Sequence, residues 1–240
     1  MKLVIIGAGK MGRWFALHFQ KKGIDVSIQD IDSERAAEAA KACSVKHAKG
    51  TKEIFIADAV LVAASLDKTP EVVEEIGKKL KENQILIEIA SLKSNVVPKL
   101  KTLNCKTLSI HPMFGPSAES IERQNIIVIK EASSSSAKEK ILPMLNGANI
   151  SELDAQEHDE IMAIMHSLPY AMNMAFWETV KSKVPDKRFW GTRFPEQLEI
   201  ARKIADENED LKNSLIGNPK AKKILAEYTK RIMEMAKSDK

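Results

Sequence analysis

A chain of 240 residues with 44% hydrophobic and 29% charged side chains is long enough for one average domain plus a smaller one, and its proportions exclude a disordered or membrane class. The formal charge of +4 is dispersed over Lys-rich helical stretches such as Gly77-Lys78-Lys79-Leu80-Lys81 without a dense basic block, so no nucleic-acid partner is expected and anionic small molecules fit as well. Cys43 and Cys105 lie too far apart for a paired zinc or disulfide pattern, and the runs of apolar residues are too short for a signal peptide or a membrane span; the expectation is a soluble protein of the reducing cytoplasm.

The first predicted element is a β-branched strand, Lys2 to Ile6, which ends in Gly7-Ala8-Gly9-Lys10-Met11-Gly12. A helix follows with an apolar face of Trp14, Phe15, Leu17, His18 and Phe19, closed by Gly23. A G-x-G-x-x-G pattern is weak alone and strong between a strand and a helix. Gly7 permits the tight turn, Gly9 lets a pyrophosphate approach the backbone, and Gly12 lets helix and strand pack closely. The helix N-terminus, with Lys10 and Met11 in its first turn, adds N–H donors and a partial positive charge, and Lys10 and Arg13 are candidates for further charge. Asp25 to Gln29 reads as the second strand, and Asp30 at its end is where a carboxylate accepts both ribose hydroxyls. A 2′-phosphate would be repelled there and no Arg follows immediately, so the predicted cofactor is NAD.

Ala59 to Ala64, Ile85 to Ile89, Thr107 to Ile110 and Ile126 to Ile129 are further strands, separated by polar helical stretches such as Pro70 to Lys81. This alternation predicts an α/β fold: a doubly wound, parallel Rossmann sheet. Ser65, just past the first of these strands, joins the cofactor-binding candidates. Ala132 to Ala137 reads as a loop and helix start. After about Ser151 helical periodicity takes over, through Ile161, Met162, Met165, Leu168 and Met172 and on to Ile232 and Met235. Residues 1–154 are therefore expected to form the nucleotide-binding domain and 155–240 an all-helical substrate and dimerisation domain. So small a helical unit is expected to bury apolar faces against a second subunit, giving a homodimer.

Two motifs leave strand ends, where ligands of open α/β sheets collect: Ser91-Leu92-Lys93, and His111-Pro112-Met113-Phe114-Gly115. A third segment, His158-Asp159 followed by His166-Ser167-Leu168-Pro169-Tyr170, opens the helical region. His158 reads equally as a helix-start residue or a site residue. His158 and His166 are not at the four-residue spacing of a helical metal pair, so no metal is expected.

In the order and spacing of these motifs the chain resembles the prephenate and arogenate dehydrogenases of tyrosine biosynthesis. The resemblance implies NAD-linked oxidative decarboxylation of prephenate, with arogenate as the alternative substrate: hydride leaves the carbinol carbon, CO₂ is lost and the ring becomes aromatic. It makes His111 the acceptor for the ring hydroxyl, a role suited to a neutral imidazole, and Ser91 the residue that orients them. Lys93 becomes either a structural residue or a ligand of a substrate carboxylate. Tyr170 stands where the family often has a His, and His166, one turn earlier, is the substitute. Arg202 is the nearest match for the family's carboxylate-gripping arginine, with Arg193 and Arg188 as alternatives. Such chains can be fused to a chorismate mutase or a regulatory domain. The rival readings are another dehydrogenase built from a Rossmann and a helical dimerisation domain, or an NAD-binding sensor without turnover.

Overall fold

Eight short strands form one sheet: β1 (Lys2–Ile6), β2 (Asp25–Gln29), β3 (Lys46–His47), β4 (Ala59–Val62), β5 (Ile85–Glu88), β6 (Lys106–Pro112), β7 (Asn125–Ile129) and β8 (Asn149–Leu153). The structure is a computed structural model and describes residues 1–207 and 209–237. It divides into two compact units, one of Met1–His158 and one from Asp159 onward.

In the first unit the strand order is β3-β2-β1-β4-β5-β6-β7-β8. The first six strands are parallel, β7 runs antiparallel to β6, and β8 is parallel to β7. The order 3-2-1-4-5-6 is the doubly wound Rossmann arrangement, with its switch point between β1 and β4. The register lines up Ile28, Ile5, Leu61, Ile87 and Leu108 in one row across five strands. All five are fully buried, as strands covered on both faces require. The connections are α1 (Lys10–Lys21), α2 (Ser33–Ala42), α3 (Lys52–Ile56), α4 (Thr69–Gly77), α5 (Val97–Leu100) and α6 (Ser135–Ile141). Ser134 caps α6 by accepting from the Ala137 amide. Strands β3 and β8 are not among the predicted elements. β3 has two residues, and β8 is a mostly exposed edge strand without an apolar run.

Beyond β8 the chain is helical. α7 (Ala155–Met162) carries His158 in its first turn, and a π-turn, Ala163–Ser167, joins it to α8 (Leu168–Val180). The second unit continues with α9 (Arg193–Ala205), α10 (Glu209–Ile216) and α11 (Ala221–Lys237). Within it the Ser167 hydroxyl donates to the Leu215 carbonyl (2.6 Å), and Gln197 Nε2 donates to Asn173 Oδ1 (2.7 Å) across α8 and α9. Among the described residues no helix is long and apolar enough to cross a membrane.

Candidate active site

The turn between β1 and α1 is closed at both ends and open in the middle. Gly7 has φ +107°, a left-handed conformation that favours glycine, and a Cβ there would lie 2.3 Å from the Ala63 carbonyl oxygen. A Cβ on Gly12 would come within 1.9 Å of the Gly7 carbonyl oxygen. At Gly9 an added Cβ meets nothing within 4 Å. The first turn of α1 has neither a side-chain cap nor an acidic residue, which leaves its first amides available to a ligand. This cradle fits a pyrophosphate group.

Asp30 closes the cradle from the end of β2. Its Oδ2 accepts from the Ala8 amide (2.6 Å) and from Arg35 Nη2 (2.9 Å), and its Oδ1 from the Asp32 amide (3.1 Å). Burial pushes this carboxyl upward, but the two amides and the Arg35 guanidinium outweigh it and hold it below the usual carboxylate range. Arg35 was not among the predicted site residues; it lies in the first turn of α2 and reaches back across the loop. Arg13 is directed to the protein's own groups, with Nε donating to the Ala8 carbonyl (3.0 Å) and Nη2 4.0 Å from Glu38. Lys10 is exposed and Met11 half-buried. Ser65 is exposed just past β4, and its carbonyl accepts from the amide and the hydroxyl of Thr69 at the start of α4 (both 2.9 Å).

The second cluster lies where β5 and β6 end side by side, with Glu88 opposite Ser109 in the register. Glu88, Lys93 and Ser109 are fully buried. Lys93 Nζ donates to Glu88 Oε1 and to the Ile110 carbonyl (both 2.7 Å), the Ser109 hydroxyl donates to Glu88 Oε1, and the Ala90 amide donates to Glu88 Oε2 (2.8 Å). These bonds tie the loop carrying Ser91 to the strand carrying His111. The Lys93 ammonium is thus engaged by this chain's own carboxylate, which favours the structural of its two expected roles. Glu88 itself was not singled out; the available signal is one charge inside the otherwise apolar run Ile85-Leu86-Ile87-Glu88-Ile89.

His111 is buried near the end of β6, and its Nδ1 lies 2.8 Å from Nε2 of the buried His158. The two rings meet edge to face, 5.0 Å between centroids. His158 is held by the start of α7, where Asp154 Oδ1 accepts from the Glu157 amide (2.8 Å) and Glu131 Oε1 from the Ala155 amide (3.0 Å). After His111-Pro112-Met113, the ring of Phe114 packs on Trp14 of α1, 4.7 Å between centroids, and Trp14 Nε1 donates to the Ala118 carbonyl (2.7 Å). The loop after β6 is thereby fixed to the helix that follows the glycine turn.

The remaining predicted residues belong to the second unit. His166 lies in the π-turn, a feature frequent at functional sites. The Tyr170 hydroxyl donates to Glu207 Oε2 (2.7 Å); burial, and then this carboxylate, push the phenol far above its ordinary range, so it remains a donor. Arg202 is largely exposed, with its Nε 3.7 Å from Asp206, and Arg188 pairs with Asp186 (3.1 Å). Arg193 opens α9 and is exposed. Glu207 was not foreseen.

Comparison with known proteins bears on the whole arrangement. The chain is 25% identical to a probable arogenate/prephenate dehydrogenase of Methanocaldococcus jannaschii, over 97% of this chain and 55% of that protein. It is 29% identical to a T-protein of Haemophilus influenzae, over 72% of this chain and 44% of that protein. The chain spans about half the length of these curated relatives. A crystal structure of prephenate dehydrogenase from A. aeolicus, in complex with hydroxyphenyl propionate and NAD+, superposes with a TM-score of 0.82 at 16% identity, covering 98% of this chain and 88% of that one, a likeness of fold. The family model described as prephenate dehydrogenase, nucleotide-binding domain, matches residues 15–142, which include Asp30, Ser91 and His111. With more than half of its length matched by that model, the chain belongs to the prephenate dehydrogenase family.

Proposed function

We propose that this chain catalyses the NAD-dependent oxidative decarboxylation of prephenate, with arogenate as the alternative substrate. One observation carries the reading: His111 stands at a strand end beside the loop of Ser91, in a chain whose residues 15–142 match the family. NAD would be held by Gly7, Gly9, Lys10, Met11 and Gly12, with Asp30 on the ribose and Ser65 nearby, and bound there it supplies the hydride acceptor. The open space at Gly9 and the uncapped start of α1 support that placement.

In this reading His111 Nε2 accepts the hydrogen bond of the ring hydroxyl as carbonyl character develops at the carbinol carbon, and the Ser91 hydroxyl orients both groups. The proton stays with the oxygen as the phenol forms, the carbinol C–H pair leaves as hydride, and the C–CO₂ bond pair enters the ring, so charge and electrons balance. Lys93 acts from below by tying Glu88 to β6. Arg202 is assigned to a substrate carboxylate, with His166 and Tyr170 in the substrate region of the helical unit. The exposed Ile164, Met165, Ile200, Ile232 and Met233 support a homodimer formed through the helical region.

The test is NADH absorbance on adding prephenate, and in parallel arogenate, to the protein with NAD. Turnover of at least one is expected. A protein that binds NAD and turns over neither would be the sensor of the rival reading.

A further inference from the structure

We infer that His158 is the positioning residue that sets which ring nitrogen of His111 carries the proton, an inference resting on the reading in which His111 accepts from the substrate hydroxyl. The observation is the 2.8 Å approach of His111 Nδ1 to His158 Nε2 between two buried rings. Two bare nitrogen lone pairs do not meet at that distance, so a proton lies between them. If His158 supplies it, neutral His111 carries its own proton on Nε2 and can only donate to a ligand. If His111 Nδ1–H supplies it, Nε2 of His111 is bare and accepts. Only the second arrangement serves a reaction that draws on a hydroxyl, and it puts the proton of His158 on Nδ1.

The same bond acts during the reaction. As the hydrogen bond from the hydroxyl to His111 Nε2 strengthens, its Nδ1–H becomes a stronger donor, and an acceptor already in place supports that polarisation more in the transition state than in the ground state. Burial of both rings keeps water from substituting readily for a lost acceptor. His158 is fixed for this task by the capped first turn of α7, which follows β8 directly in the chain.

The first test needs no substrate. In the full chain with ¹⁵N-labelled histidine, long-range ¹H–¹⁵N spectra near neutral pH report the tautomers of the five histidines, assigned with the single variants His111→Asn and His158→Gln. The expected result is His111 protonated on Nδ1 and bare on Nε2; His111 protonated on Nε2 overturns the inference whatever the substrate is. The second test is kinetic. His158→Gln, whose amide oxygen can stand where Nε2 stood, should keep kcat within about threefold, whereas His158→Phe, with a ring but no acceptor, should lose about 10- to 100-fold in kcat with KM and NAD affinity within about twofold. Equal kcat in the two variants overturns the role. If His158→Phe does not fold, the tautomer of the unmodified protein decides. Absence of turnover by the unmodified protein on either substrate would instead sink the functional reading, and the two failures are thereby distinct.

Discussion

Gly9 and Gly12 lie in one turn, yet a methyl group added at each meets different surroundings. At Gly12 it would overlap the Gly7 carbonyl at 1.9 Å, so Gly12→Ala is expected to destabilise the fold by about 2–4 kcal/mol, measured by denaturant unfolding. At Gly9 it meets nothing within 4 Å of protein, so Gly9→Ala should leave stability within about 0.5 kcal/mol. Its methyl group would instead occupy the space assigned to the pyrophosphate and weaken NAD by at least about tenfold, or about 1.4 kcal/mol, in a binding titration. A Gly9→Ala protein with unchanged NAD affinity would show that the cradle faces something else. Asp30 makes a second residue-scale claim. Its carboxylate is expected to favour NAD over NADP by at least about tenfold in kcat/KM, because a phosphate dianion placed beside it costs more than about 1.4 kcal/mol. Asp30→Ser should narrow the ratio, the more so because Arg35 is then released from its 2.9 Å partner and becomes available to a phosphate. Equal use of the two cofactors by the unmodified protein would contradict this role of Asp30.

At the scale of elements, the site depends on β5 and β6 ending in register. The buried Glu88–Lys93 pair makes that junction rigid, and its loss is a stability event first. Lys93→Met leaves a buried carboxylate without its cation and should cost about 3–5 kcal/mol, while Glu88→Leu combined with Lys93→Met should recover most of that loss in the same denaturation experiment. A Lys93→Met protein of unchanged stability that fails only in substrate KM would return Lys93 to carboxylate binding. These elements also show what could be read from the sequence. The strands facing the core were legible because burial on both faces demands continuous apolar runs, and the glycine turn because its backbone needs fix residue types at fixed offsets. The place of His111 at a strand end was legible in the run Ser109-Ile110-His111-Pro112. Edge strand β8 was not, since exposure imposes no pattern on Asn149-Ile150-Ser151-Glu152-Leu153. The approach of His158 to His111 was not legible either. Its partner is 47 positions away, and their meeting depends on how the chain between β6 and α7 folds, a tertiary fact with no local signature.

At the scale of the molecule, the proposed site residues fall in both units: the first holds the glycine cradle, Ser91, His111 and His158, and the second holds His166, Tyr170 and Arg202. Ile232 and Met233 of α11 are 47% and 58% exposed, apolar surface that a second copy would cover. Sedimentation at micromolar concentration should therefore give a dimer, and Ile232→Glu with Met233→Glu should shift it toward monomer; a monomeric profile of the unmodified chain would remove the homodimer from the account. The proposed chemistry converges on His111. If its imidazole accepts from the substrate hydroxyl as hydride departs, its help is concentrated in the transition state, and NAD binding at the separate glycine turn does not depend on it. The deciding measurement is kcat of His111→Ala beside its NAD affinity: the account predicts a loss of about 10²- to 10⁴-fold in kcat with NAD affinity retained, and an unchanged kcat would contradict it.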